Sequence, residues 1–95
     1  MEDRAERLTQ VLHTAAETHH IVFGIVDGVD ADWASWYSDW LINLSEMPEI
    51  LGGRPVRSEL TFALVGMDRE YTQQQTDEPW ESFYARDLIR RFGSG

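Results

Sequence analysis

The stretch HTAAETHH, residues 13–20, holds all three histidines of the chain. His13, Glu17 and His20 stand at i, i+4 and i+7, on one face of a helix, where imidazole and carboxylate groups could ligate a metal or exchange protons with a substrate. Glu17 and His20 also make the Glu-x-x-His spacing that di-iron bundles use. Such a centre needs a second Glu-x-x-His and two further glutamates, and no histidine stands beyond position 20. What the spacing leaves open is a mononuclear site of His13, Glu17 and His20, with Asp27 as a further candidate. The plainer reading, polar side chains on a solvated face, is preferred. His19 falls instead on the apolar stripe, and its expected role is a hydrogen-bonded, partly buried imidazole.

The second constellation is aromatic. DWASWYSDWL, residues 32–41, carries three of the four tryptophans and one tyrosine. Trp33, Trp36, Trp40 and Leu44 are three, four and four residues apart, so they form a continuous stripe on a helix, widened by Tyr37 and Leu41. Asp32, Ser35 and Asp39 make the opposite, polar side. Core packing alone would produce this pattern, and that reading is preferred, with Trp40 expected inside. The functional reading is that two or three rings line a pocket or contact surface, as aromatic side chains do at interfaces and around organic cations. Its candidates are Trp33, Trp36 and Tyr37, joined from the C-terminal helix by Trp80 and Tyr84. Arg54 and Arg57 complete the set: they could stack on Trp or Tyr or hold a carboxylate, and since the dipole at a helix N-terminus disfavours them a specific acidic partner is plausible, with an internal ion pair preferred over an external one. Ser45, Ser58 and Ser82 lack a histidine and acid at the spacing of a nucleophilic triad.

The elements that must position these residues are helices. Leu8, Val11, Leu12, Ala15, His19, Val22 and Val26 follow helical spacing and predict a helix over 3–26, stopped near Gly28. Asp30 as N-cap opens a second over 31–45, with Asp32 in its first turn. Met47 to Leu51 reads as a short turn opened near Pro48 and closed by Gly52 and Gly53. Pro55 suits the first turn of a helix over 55–74 whose apolar face is Val56, Leu60, Ala63, Leu64, Met67 and Tyr71. Thr76 or Asp77 caps the last helix, 78–92, with Pro79 in its first turn and Trp80, Phe83, Tyr84, Leu88 and Phe92 inward. Arg86, Arg90 and Arg91 gather towards its C-terminal end, where a helix favours cations. Residues 93–95 are set aside as a frayed tail. The connections are short, so the expected fold is an all-α bundle of four main helices and one short turn in a single domain.

Composition narrows the function. The 95 residues carry 17 acidic and 8 basic side chains, all the basic ones arginine, for a net charge of −9. A phosphate backbone would be repelled, so nucleic acid is not an expected partner. Cysteine is absent, which removes disulfides, thiolate zinc sites and cysteine nucleophiles. No run approaches the roughly 18 apolar residues of a membrane span, and the charged start MEDRAERLTQ has no secretory h-region, so a cytoplasmic address and no membrane partner are expected. In so short a chain, apolar surface left outside the core makes a homodimer, or a second protein as partner, physically reasonable.

THH followed by DWASWYSDWL resembles a helical segment of the form HH, then DWxxWYxxWL or DWxxWYxxYL, found in small bacterial proteins of unknown function and sometimes attached to glyoxalase or bleomycin-resistance-like domains. RPVRSEL and DEPWESFYARDLIRRF look like its continuation in the stand-alone versions. The resemblance implies a helical domain without an established activity, and it brings no metal ligands or catalytic residues; these 95 residues hold no glyoxalase-like segment of their own. The function expected is a non-enzymatic interaction or ligand-binding helical protein with no cofactor. The alternative is a small enzyme, or an enzyme accessory, using His13, Glu17 and His20 or His19.

Overall fold

The computed structural model describes residues 3–24 and 32–93, and among them every regular element is helical. The five helices are α1 (Arg4–Gly24), α2 (Trp33–Asn43), α3 (Met47–Leu51), α4 (Arg57–Gln74) and α5 (Trp80–Phe92). The expected all-α bundle with one short extra turn is therefore the architecture found. Gly28, Val26, Asp27 and the Asp30 cap lie outside the described residues. The Cα radius of gyration, 12.9 Å, matches the roughly 13 Å of a folded 100-residue globule.

α1 opens where the Asp3 carboxylate accepts the Glu6 N–H at 2.7 Å, a capping bond to a donor that the helix cannot satisfy itself. Leu8, Val11, Leu12 and Ala15 form its buried line. The line stops early: Val22, expected on the same face, is 46% exposed. α1 packs chiefly on α5 and α2 chiefly on α4, and α3 closes one end against α1 and α2. Arg4 fixes that end by donating Nε to the Ile50 carbonyl at 2.7 Å and Nη2 to the Leu51 carbonyl at 2.9 Å. A cation there satisfies the carbonyl end of α3. Gly52 follows in the left-handed region, φ 82°, and its N–H and that of Gly53 both reach the Pro48 carbonyl. Gly is favoured there because it has no Cβ to clash.

α2 packs differently from the expected stripe. Its buried residues are Ala34, Ser38, Leu41 and Ile42, while Trp33, Tyr37 and Trp40 are half-buried against the edge of the core. Ser38 and Thr61 explain the choice. Ser38 is wholly buried; its Oγ donates to the Ala34 carbonyl at 2.8 Å and lies 2.7 Å from Thr61 Oγ1, which in turn lies 2.9 Å from the Arg57 carbonyl. Small residues let α2 and α4 approach closely through this hydroxyl pair, and indoles would hold them apart. Trp40, expected inside, is thus displaced to the flank. Leu44 is 75% exposed because α2 ends at Asn43 and Leu44 leaves the helical register.

Three helix starts are also corrected. Asp32 is the N-cap position of α2, not part of its first turn. Val56 is extended, φ −71° and ψ 130°, so Pro55 precedes α4 rather than entering it, and Val56 itself is 57% exposed. Pro79 occupies the N-cap position of α5, and Thr76 instead holds the approach by accepting the Glu78 N–H at 3.2 Å.

Candidate ligand cleft

Among the described residues, two runs of ring contacts cross the structure. In the first, Trp33 meets Tyr37 edge to face at 6.0 Å, Tyr37 stacks on His19 at 5.2 Å, and Trp36 turns against both and lies 6.3 Å from Trp40. In the second, Trp80 meets Tyr84 at 5.2 Å and Tyr84 leads to Tyr71 at 6.5 Å, which meets Phe83 at 5.3 Å. Between them lies a cleft of about 460 Å³ lined by Leu12 and His19 from α1, Trp33 and Tyr37 from α2, Leu64, Asp68, Tyr71 and Thr72 from α4, and Trp80 and Tyr84 from α5. Leu12 and Leu64, both wholly within the core, are its apolar base.

Helical spacing brings these residues to one place. His19 is seven residues beyond Leu12, Tyr37 and Tyr84 are four beyond Trp33 and Trp80, and Leu64, Asp68, Tyr71 and Thr72 repeat at four, three and one. Tyr71 donates its hydroxyl to the Glu78 carbonyl at 2.5 Å, tying the α4–α5 connection to the cleft wall. Tyr84 donates to Asp68 Oδ1 at 3.3 Å. Burial, then the Asp68 carboxylate, pushes the Tyr84 hydroxyl well above the ordinary tyrosine value; burial, then Glu81, pushes Tyr37 the same way. Both stay protonated near neutrality, and Tyr84 uses its hydroxyl as a donor.

Of the seven residues expected to bind, four line this cleft: Trp33, Tyr37, Trp80 and Tyr84. Trp36 stands behind it, against His19 and Tyr37. The two arginines lie elsewhere and have internal partners. Arg57 bonds both carboxylate oxygens of Asp39, Nη2 to Oδ2 at 3.2 Å, and the Ser35 hydroxyl. The Arg57 hydrogen bond holds the Asp39 carboxyl below its usual value. Arg54 donates to the Asn43 side-chain oxygen. The internal ion pair preferred on sequence grounds is what Arg57 makes, and it offsets the unfavourable dipole at the start of α4.

The histidine face has its own geometry. His13 Nε2 is 3.1 Å from Glu17 and its Nδ1 is 3.2 Å from Glu81 on α5. His20 is exposed. Among the described residues, no group of three or more His, Cys, Asp or Glu side chains comes together to hold a metal ion. Glu81 is the partner that spacing on α1 alone could not show.

Sequence reading missed Asp68 and Thr72 as site residues and placed Tyr71 only in the core. A signal existed: Asp68 interrupts the apolar repeat Leu64–Tyr71 on the same side of α4. Comparison of the chain with protein-family models, with curated proteins and with solved structures gives no match.

Proposed function

We propose that this chain is a non-enzymatic helical domain that binds a small ligand in the cleft between its four long helices. The observation that carries the reading is convergence: among the described residues, six aromatic or imidazole side chains from four helices surround one space with a single carboxylate. Its volume, about 460 Å³, falls in the range of small-molecule sites, and an apolar lining with a few placed polar groups is their usual composition. Core packing alone does not require these rings to leave space between them. The stand-alone bacterial helical proteins whose motif this chain resembles are the family to which the reading assigns it.

Tryptophan fluorescence is the direct test, because Trp33 and Trp80 are in the lining. Small uncharged and cationic aromatic or alkyl probes are expected to give a saturable change that Trp80→Leu and Tyr37→Ala weaken. Flat titrations with every probe would overturn the reading.

The enzyme alternative, using His13, Glu17 and His20 or His19, is the second reading: His13 lies between Glu17 and Glu81 at 3.1 and 3.2 Å, and His19 is in the cleft lining. Native mass spectrometry with and without chelator is expected to give the same mass. Self-association is favoured by Phe62 and Val65, three residues apart on α4 and 79% and 42% exposed. Light scattering is expected to give twice the chain mass.

A further inference from the structure

We propose that the cleft takes a small organic cation with an alkylated, tetrahedral ammonium head, seated among Trp33, Tyr37, Trp80 and Tyr84 with Asp68 as its counter-charge. This rests on the cleft being the ligand site and names the class of ligand.

Shape is the first argument. Trp33 and Tyr37 stand at 80° to each other, and Trp80 and Tyr84 at 81°. Each pair forms a right-angled corner, one on α2 and one on α5. A flat ligand gains most between parallel rings, at stacking distance. A rounded head touches both walls of a corner at once, and a cation is attracted by the negative face of each ring it meets.

Charge is the second. Among the described residues, Asp68 is the one carboxylate in the lining and no arginine joins it; Arg69, next in the chain, is not part of it. The other titratable lining groups among the described residues are His19, Tyr37, Tyr71 and Tyr84. Asp39, Glu46, Glu78 and Asp87 each hold an arginine, whereas the side-chain partner of Asp68 is the neutral Tyr84 hydroxyl at 3.3 Å. A carboxylate without an arginine partner beside electron-rich rings is complementary to a cation, which both attract, whereas an anion would be repelled by both. The net charge of −9 also raises the local concentration of cations.

The test is a fluorescence and calorimetric titration of the full chain with choline and with 3,3-dimethylbutan-1-ol, which has the same shape with carbon in place of the charged nitrogen. Choline is expected to bind at least tenfold more tightly than the alcohol. Asp68→Asn, at an exposed position, is expected to keep the melting temperature, to weaken choline about tenfold and to leave the alcohol unchanged. Trp80→Leu is expected to weaken both. Equal binding of choline and the alcohol, or an unchanged choline affinity in Asp68→Asn, would overturn the cation assignment while leaving a ligand cleft. No signal with choline, the alcohol or uncharged indole would overturn the ligand cleft as well.

Discussion

Tyr84 on α5 donates its hydroxyl to Asp68 Oδ1 on α4 at 3.3 Å, so a donor from one helix and an acid from another share a wall of the same cleft. Burial and the neighbouring Asp68 carboxyl hold the phenol proton in place, so Tyr84 presents a hydroxyl donor beside the acid.

The tyrosines make the protein sensitive to alkali. Tyr84 and Tyr37 have pKa values raised above 10.0 in the folded chain, so the folded state holds those protons more tightly than the unfolded one. Their contribution is whole below pH 10.0 and is lost as pH rises above it. The urea midpoint is expected to fall over that range, and Tyr84→Phe is expected to flatten the fall.

Acid acts on a different pair. Asp39 has a pKa lowered from 3.8 by its hydrogen bond to Arg57, so its contribution is present above pH 3.8 and is lost as pH falls below it. Both side chains are exposed, and salt is expected to screen the pair. The stability gap between wild type and Asp39→Asn should narrow on acidification and in high salt, as read by denaturant midpoints.

Gln75 ends α4 with φ 50°, in the left-handed region where a side chain is strained. Gln75→Gly is expected to stabilise the chain by about 0.5 kcal/mol, the relief of that strain less the larger entropy of the unfolded glycine. Thermal unfolding would show it as a small rise in Tm.

Leu12 and Phe62 offer a contrast in burial. Leu12 is 0% exposed and forms the base of the cleft, so Leu12→Ala is expected to cost about 2–4 kcal/mol and to enlarge the cleft. Phe62 is 79% exposed, so Phe62→Ser is expected to stay within about 0.5 kcal/mol for the monomer. Its effect on light-scattering mass then reports self-association separately from folding.

Most of the helix boundaries were legible to within about two residues, because apolar spacing and Pro/Gly punctuation are local signals. Trp80 and Tyr84 were legible as candidates for the same reason. The inward face of α2 was not. Its tryptophan stripe is the stronger hydrophobic signal, yet Ala34 and Ser38 face the core, because contact between α2 and α4 selects small side chains and the Ser38–Thr61 hydroxyl pair. Helical periodicity records which residues share a face, but not which of two adjoining faces a neighbouring helix will cover.

The sequence by itself determined an all-helical, acidic, cysteine-free chain with its aromatic residues at helical spacing, since propensity, periodicity and charge belong to neighbouring residues. Tertiary structure alone decided that Trp33 and Tyr37 would face Trp80 and Tyr84 across a cleft, that Asp68 would stand beside Tyr84, and that His13 would meet Glu81. Each of these pairs joins different helices, and the packing of α1 on α5 and α2 on α4 sets which side chains meet.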